Sequence, residues 1–209
     1  MADLGAIAQA LEKGDRKTVV QLVQKALAEK VPPANILHEG LIKGMDSIGR
    51  KFKANEVYVP EVLIAARAMA GGMEILEPIL IKAGVKSAGK VVVGTVKQDL
   101  HDIGKNLVAM MLKGGGFTVI DLGVDVDPAK FIDAARDQGA ELIALSALLT
   151  TTMPNLKAVV SAKNAAKLKA KVMIGGAPVT QAFADEIGAD GYAADAASAV
   201  DLARELIKV

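Results

Sequence analysis

The sequence predicts an α/β protein in which an N-terminal antiparallel four-helix bundle precedes a doubly wound five-stranded parallel sheet. Residues 1–86 carry apolar side chains at helical spacing, whereas short β-branched runs alternate with helical patterns from residue 87 onward. The chain is 52% hydrophobic but only 3% aromatic, so small aliphatic side chains must fill its core. Its 209 residues suffice for two domains, which we place at 1–86 and 87–209.

Four helices are predicted in the first domain. The first ends at Gly14, the second begins after the N-cap residue Asp15, the third starts at Pro32 and Pro33, and the fourth starts at Pro60. Short connections between them indicate antiparallel packing. The predicted inward positions are Leu4, Ile7, Leu11, Val19, Val20, Val23, Ala26, Leu27, Leu37, Leu41, Met45, Ile48, Phe52, Leu63, Met69, Met73 and Leu76.

Five strands are predicted in the second domain. They are VVVGTV from residue 91, FTVIDLG from 117, LIALSAL from 142, KVMIGG from 171 and a weaker GYAAD from 191. Helical patterns follow near 102–114, 128–138, 153–169, 178–187 and 196–208. A βα repeat with right-handed crossovers gives a flavodoxin-like (Rossmann-like) sheet, whose ligands bind beyond the carboxyl ends of the strands. The expected binding region is therefore the loops after strands one, three and four.

Composition and charge exclude several functions. The 25 Lys and Arg balance 24 Asp and Glu without a long basic run, so nucleic acid is not an expected partner. The sequence has no basic leader and no apolar stretch near the roughly 18 residues of a membrane span, so we expect a soluble cytoplasmic protein without a membrane partner. With no Cys and two His, a metal must bind through one His, through carboxylates or within a prosthetic group.

The loop after the first predicted strand contains Asp99-x-His101-x-x-Gly104 at the start of a helix. A carboxylate two residues from a histidine can hydrogen-bond one ring nitrogen and leave the other for a ligand. Gly104 removes a side chain where a bulky group would approach the backbone. Alternatively, His101 is an ordinary loop residue and Asp99 and Asp102 only cap the helix. Farther along the chain, Asp121, Asp125 and Asp127 are interpreted as solvated loop carboxylates and a helix cap.

Two further signals follow strands three and four. Ser146-x-Leu148 precedes three threonines at 150–152, and Gly175-Gly176 precedes Ala177. Small residues and hydroxyls there would open a groove for a long, narrow part of a ligand. Each feature alone is also an ordinary strand end.

Together, D-x-H-x-x-G, S-x-L and G-G resemble the signature of the cobalamin-binding domains of methionine synthase, methylmalonyl-CoA mutase and corrinoid methyl carriers. VKQDLHDIGKN is close to the form in methionine synthase and the corrinoid proteins. The stretch Gly49-x-x-Phe52-x-x-x-Glu56-x-Tyr58-x-Pro60 is similar to their helical cap module. The resemblance covers essentially the whole chain.

The resemblance implies roles for individual residues. In this family a His replaces the lower base of the cofactor on cobalt, so His101 would ligate cobalt, Asp99 would bond its other ring nitrogen, and Thr152 would continue this relay where a Ser is usual. Phe52 and Val59 match residues that cover the upper corrin face, although Phe52 fits a bundle core equally well. The remaining implied cofactor-binding residues are Gln98, Leu100, Asp102, Gly104, Ser146, Leu148, Thr150, Gly175, Gly176, Ala177 and Ala196.

The resemblance also implies a cofactor and partners. The cofactor would be cobalamin, as methylcobalamin, cob(I)alamin or a related corrinoid with another lower base. The chain would carry a methyl group from a substrate-specific corrinoid methyltransferase to an acceptor methyltransferase that uses tetrahydrofolate or coenzyme M, with a reductive activation protein as third partner. No segment resembles a substrate-holding barrel, so we expect a carrier subunit, not a complete enzyme.

Three alternatives remain. The small subunit of an adenosylcobalamin-dependent mutase shares the D-x-H-x-x-G sheet but does not resemble residues 1–86. A cobalamin-dependent sensor requires a separate basic DNA-binding module, which this sequence lacks. A cofactor-free flavodoxin-like binding module leaves the arrangement around His101 unexplained.

Overall fold

A computed structural model describes residues 3–208 and divides the chain into two compact units. The helical unit contains the residues up to Ser87 together with Gly114–Gly116. The α/β unit contains Ala88–Lys113 and the residues from Phe117 onward.

The helical unit is built from consecutive helices joined by short turns. These are α1 (Leu4–Glu12), α2 (Arg16–Ala28), α3 (Pro33–Asn35), a π-helical segment (Ile36–Ile42), α4 (Lys43–Lys53) and α5 (Val59–Lys82). The predicted helical region is confirmed, whereas the predicted number of four depends on whether the continuous run 33–53 is counted as one helix. Asp3 and Asp15 cap α1 and α2, because their carboxylates accept hydrogen bonds from the backbone N–H groups of Ala6 and Thr18.

The core of the helical unit lies where α2 packs against α5 and where α1 packs against α2, α4 and the π-helical segment. Most of the predicted inward positions are buried there, and the half-buried ones are Leu4, Val20, Leu27, Phe52, Leu63 and Met73. Within residues 3–208, no helix combines the length and apolar character that a membrane span requires. The largest fully buried side chains of this unit are Ile7, Leu11, Ile36, Leu41, Met45, Ile48 and Leu76.

The α/β unit contains one parallel sheet. Its strands are β1 (Lys90–Thr95), β2 (Thr118–Asp121), β3 (Leu142–Ser146), β4 (Lys171–Gly175) and β5 (Gly191–Tyr192). They lie in the order β2-β1-β3-β4-β5, which is the flavodoxin-like order and confirms the predicted fold class. The helices that follow the strands are α6 (Ile103–Gly114), α7 (Pro128–Gln138), α8 (Met153–Ala165), α9 (Gln181–Ile187) and α10 (Ala196–Ile207).

The strand register places the carboxyl ends of β1, β3 and β4 beside one another. Thr95 at the end of β1 lies opposite Ser146 at the end of β3, and Ser146 lies opposite Gly175 at the end of β4. The chain order reverses between β1 and β3, so the loops after these strands diverge and leave the crevice in which sheets of this kind bind ligands. The predicted binding loops therefore begin side by side at one edge of the sheet.

Candidate functional site

The centre of the site is the carboxylate of Asp99, which is fully buried in the loop after β1. Its Oδ1 accepts hydrogen bonds from the backbone N–H of His101 at 3.1 Å and from His101 Nδ1 at 2.8 Å. Its Oδ2 accepts from the backbone N–H of Leu148 at 2.8 Å and from Thr152 Oγ1 at 2.7 Å. One carboxylate thus joins the loop after β1 to the loop after β3, across the point where the strand order reverses.

The hydrogen bonds to Asp99 decide its charge. Burial opposes ionisation, but the bonds from Thr152, Leu148 and His101 outweigh it and hold the pKa of the Asp99 carboxyl well below its usual range. Asp99 is therefore a carboxylate, and a carboxylate only accepts hydrogen bonds.

The charge of Asp99 fixes the tautomer of His101. Because Asp99 can only accept, Nδ1 of His101 carries the proton of their 2.8 Å hydrogen bond. In the neutral ring Nε2 then keeps its lone pair, which is the form that binds a metal. The side chain of His101 is 50% exposed, so the ring can be reached from outside the protein.

Thr152 supports the same carboxylate from the start of α8. It is the N-cap residue of α8, yet its hydroxyl makes no hydrogen bond to that helix. Instead Oγ1 faces Asp99, and it also lies 2.9 Å from the carbonyl oxygen of Leu149. A hydroxyl has one proton, so Thr152 donates to one of these two acceptors at a time.

The second set of predicted residues lies at the ends of β3 and β4. Ser146 pairs in register with Gly175, and a Cβ on Gly175 would lie 3.1 Å from the carbonyl oxygen of Ala193, between β5 and α10. Gly176 has φ +129°, and a Cβ there would lie 1.8 Å from the carbonyl oxygen of Ala147, so only glycine fits. The two glycines therefore let the backbone at the ends of β3, β4 and β5 approach closely, and a groove for part of a ligand remains a prediction.

The other predicted residues of this edge differ in exposure. Thr150 and Ala177 are exposed in the loops after β3 and β4, whereas Ala196 is buried at the start of α10. Phe52 and Val59 belong to the helical unit, at the end of α4 and the start of α5, so covering a corrin remains a prediction for both.

The surroundings of His101 fit a flat, largely apolar group. Four apolar side chains of the two joined loops are solvent-exposed, Leu100 by 72%, Ile103 by 80%, Leu148 by 39% and Leu149 by 43%. Exposed leucine and isoleucine in such density mark a binding surface. A Cβ added to Gly104, in the first turn of α6, would meet no atom within 4 Å, so the backbone there borders open space. A corrinoid, with its broad ring and central cobalt, matches these features.

Sequence reasoning missed three residues that hold this loop. Thr95 Oγ1 donates to the carbonyl oxygen of His101 at 2.8 Å, and Asn155 Nδ2 donates to that of Lys97 at 2.7 Å. The Asp125 carboxylate accepts from the backbone N–H of Gln98 at 2.7 Å. The only sequence signal for Thr95 was a polar residue at the end of a buried strand. For Asn155 it was a polar residue in the first turn of a helix.

The three carboxylates at the end of β2 and in the connection after it each have a specific hydrogen-bond donor. Asp127 caps α7, as predicted, but Asp125 holds the histidine loop. Asp121 accepts from the buried ammonium of Lys105 at 2.7 Å. Burial opposes its ionisation, yet Lys105 lowers the pKa of Asp121. Asp121 and Asp125 are solvent-exposed, as predicted, but each also accepts a hydrogen bond from a specific donor, which the sequence did not indicate.

Two family models match the chain, and each is described as a B12 binding domain. One covers residues 89–201, more than half of the chain, and the other covers residues 4–77. The two matched ranges correspond to the α/β unit and the helical unit. Binding of cobalamin or a related corrinoid, expected from the sequence, is confirmed at the level of the family.

Individual relatives agree over the whole chain. A corrinoid protein of Desulfitobacterium hafniense strain Y51 is 42% identical, with 99% of this chain and 98% of the relative covered. The dimethylamine corrinoid protein of Methanosarcina barkeri is also 42% identical, with 98% and 97% covered. The methanol:cobalamin methyltransferase complex of Methanosarcina barkeri includes a chain that superposes with a TM-score of 0.87 at 30% identity, covering 98% of this chain and 79% of that one. The chain therefore belongs to the family of B12-binding corrinoid proteins.

Proposed function

We propose that this chain is a methyl carrier in which His101 binds cobalt through Nε2 in place of the lower base of the corrinoid. The observation that carries this proposal is the buried Asp99 carboxylate on His101 Nδ1, at 2.8 Å, because it leaves Nε2 as the unprotonated nitrogen. When bound, the corrinoid supplies a cobalt centre that can accept and release a methyl group. The protein supplies binding, orientation and control of the axial ligand.

Asp99 and Thr152 would support His101 both as a metal ligand and as a free ring. While His101 is a metal ligand, an ionised Asp99 strengthens the imidazole as a donor. If His101 left cobalt and took up a proton, Asp99 would face an imidazolium. Thr152 adapts to either state, because its hydroxyl can donate to Asp99 or turn to the carbonyl oxygen of Leu149 at 2.9 Å. Ligation and proton uptake are thereby coupled.

The remaining predicted residues divide between those assigned to the corrin ring of the cofactor and those assigned to its nucleotide tail. We assign Gln98, Leu100, Asp102 and Gly104 to the loop beneath the corrin ring, since they flank His101 in sequence. For the nucleotide tail we assign the ends of β3 and β4, with Ser146, Thr150, Gly175, Gly176, Ala177 and Ala196, whereas Leu148 belongs with the apolar side chains around His101. Phe52 and Val59 of the helical unit would cover the upper face between transfers.

The relatives suggest which partners to test. The dimethylamine corrinoid protein is 42% identical to this chain, compared with 30% for the chain in the methanol complex. We therefore propose a methylated amine as donor, with a substrate-specific methyltransferase that delivers its methyl group. The acceptor methyltransferase would use tetrahydrofolate or coenzyme M. A reductive activation protein would return cobalt that has become oxidised to its reduced state. The mutase subunit and sensor alternatives are less supported, since the relatives match both units.

Labelled donors test the carrier role. The corrinoid-loaded protein, reduced to cob(I)alamin, is mixed with the purified dimethylamine or methanol methyltransferase of its own organism and with the matching donor carrying a ¹⁴C-methyl group. We expect label on this protein with dimethylamine, at up to one methyl group per corrinoid. The His101→Ala variant controls for transfer to corrinoid that has dissociated. Absence of label with every donor, in protein that is fully reduced, contradicts the carrier role.

Substitutions of two glycines are expected to separate effects on folding from effects on cofactor binding. For Gly104→Ala we expect the free energy of unfolding of the cofactor-free protein to be unchanged or raised by up to about 1 kcal/mol, because the new methyl group meets no atom and alanine favours a helix. Corrinoid affinity should fall several-fold, since that methyl group enters open space that we assign to the corrin ring. Gly176→Ala should instead destabilise the cofactor-free protein by about 2–4 kcal/mol, through its clash with Ala147 and its positive φ. Urea unfolding and corrinoid titration measure both effects, and a Gly104→Ala protein with unchanged affinity contradicts the assignment.

A further inference from the structure

One peptide group of the histidine loop is held at both ends by side chains from elsewhere in the α/β unit. The carbonyl oxygen of Lys97 accepts a hydrogen bond from Asn155 Nδ2 at 2.7 Å. The N–H of Gln98, on the other side of the same peptide bond, donates to Asp125 Oδ1 at 2.7 Å. Asn155 lies in the first turn of α8 and Asp125 in the connection after β2. A flip of this peptide plane would break both hydrogen bonds.

The backbone at this peptide needs such support. Gln98 has φ +66° and Asp125 has φ +53°, a left-handed conformation that residues other than glycine seldom adopt. Left unsupported, the Lys97–Gln98 peptide would turn to relieve Gln98. The backbone N–H of Asp125 also donates to the carbonyl oxygen of Asp99 at 3.0 Å. Asp125 therefore binds the loop on both sides of the Gln98–Asp99 peptide bond.

The Asp99 side chain leaves the backbone between the two contacts with Asp125, which lie at the N–H of Gln98 and at the carbonyl oxygen of Asp99 itself. We propose that Asn155 and Asp125 are positioning residues for His101: by fixing the Lys97–Gln98 peptide, they hold the Asp99 carboxylate on Nδ1 and keep Nε2 as the metal-binding nitrogen. The inference deepens the proposed function and rests on His101 as the cobalt ligand. Neither residue needs to touch the corrinoid.

Asn155→Ala tests the carbonyl side. Alanine favours the helix and offsets part of the cost of the lost hydrogen bond, so the variant should fold, and Asn164→Ala makes the same change at an exposed position of α8. The first readout is ¹⁵N NMR of the His101 ring in the cofactor-free protein at about pH 8.5, two units above the ordinary imidazole pKa. We expect a dominant Nδ1–H tautomer in the wild type and in Asn164→Ala. In Asn155→Ala the tautomer ratio should fall by about threefold to tenfold, the change that one lost hydrogen bond produces.

Asp125→Gly tests the N–H side. Glycine adopts the left-handed conformation without strain, so this variant removes the carboxylate without penalising the backbone. Asp125→Asn should rescue the wild-type ratio, because its amide oxygen still accepts from Gln98. Lys167→Gly, at a left-handed residue (φ +51°) before β4, controls for the general effect of a new glycine.

A second readout uses the corrinoid-loaded protein. In the Co(II) state, the share of cobalt that carries a protein nitrogen should fall in Asn155→Ala and Asp125→Gly alone. A variant that keeps the wild-type tautomer ratio overturns the role of its residue. If the wild type itself carries no protein nitrogen on cobalt, the proposed function fails, whereas the NMR of the cofactor-free protein still decides this inference.

Discussion

Replacing His101 with alanine is expected to remove the protein ligand from cobalt and to lower corrinoid affinity by at least about 10- to 100-fold, the range seen when even a supporting residue of a metal ligand is lost. The fold should survive, because the side chain is half exposed and Asp99 keeps its bonds to Leu148 and Thr152. Absorbance spectra of protein loaded with methylcobalamin measure the effect. The wild type should show the lower base displaced and a histidine bound, and the variant should show the displaced base without a histidine.

His38→Ala is the matched control for this experiment. His38 is the other histidine of the sequence, and it is exposed on the π-helical segment of the helical unit. This variant should keep the wild-type spectrum and affinity. A His101→Ala spectrum identical to that of the wild type would contradict the assigned ligand.

Asp99→Asn is expected to change which nitrogen of His101 carries the proton. The amide has the size of the carboxylate, but only one of its two terminal atoms accepts hydrogen bonds. Leu148 N–H and Thr152 Oγ1 both face the Oδ2 position, so the amide oxygen should take that side and turn its NH₂ toward Nδ1. This arrangement favours the Nε2–H tautomer, which cannot bind cobalt through Nε2.

We therefore expect Asp99→Asn to lose the histidine-bound spectrum although His101 is present. The stability cost should be about 1–3 kcal/mol, because the new NH₂ also opposes the backbone N–H of His101. Ring ¹⁵N NMR reports the tautomer and urea unfolding the stability. A variant that retains the Nδ1–H tautomer would show that Asp99 does not control the ring.

The same carboxylate makes stability depend on pH. The pKa of Asp99 is depressed in the folded protein, so its stabilising contribution is complete well above the unfolded carboxyl pKa of about 3.9. As the pH falls below that value, the unfolded chain takes up a proton that the folded chain does not, and the contribution declines. The difference in unfolding free energy between wild type and Asp99→Asn should hence shrink as the pH falls from about 4 toward 3. A difference that grows in acid would have the wrong sign.

The architecture could be predicted because its signals are local. Buried parallel strands are nearly continuous apolar runs rich in Val, Ile and Leu, so VVVGTV and LIALSAL indicated β1 and β3 directly. Asp99 and His101 are two residues apart, and their contact follows from that spacing. The π-helical segment could not be predicted, since apolar residues at spacings of three and four also suit an ordinary α-helix.

The support of the site could not be predicted, because it joins residues that are distant in sequence. The N–H of Leu148 reaches Asp99 across 49 positions, and Asn155 reaches Lys97 across 58. The sequence analysis identified Asp125 as a loop carboxylate, but only the course of the chain after β2 shows that it accepts a hydrogen bond from Gln98. Such contacts depend on strand order and register, which single residues do not encode.

The direct test of the cobalt ligand is electron paramagnetic resonance of the Co(II) form in protein labelled with ¹⁵N-histidine. If His101 replaces the lower base, the threefold nitrogen splitting of unlabelled protein, three hyperfine lines from ¹⁴N, becomes two lines when the histidine carries ¹⁵N. A threefold splitting that persists in the labelled protein would show that the cofactor keeps its own base, and the account would be wrong.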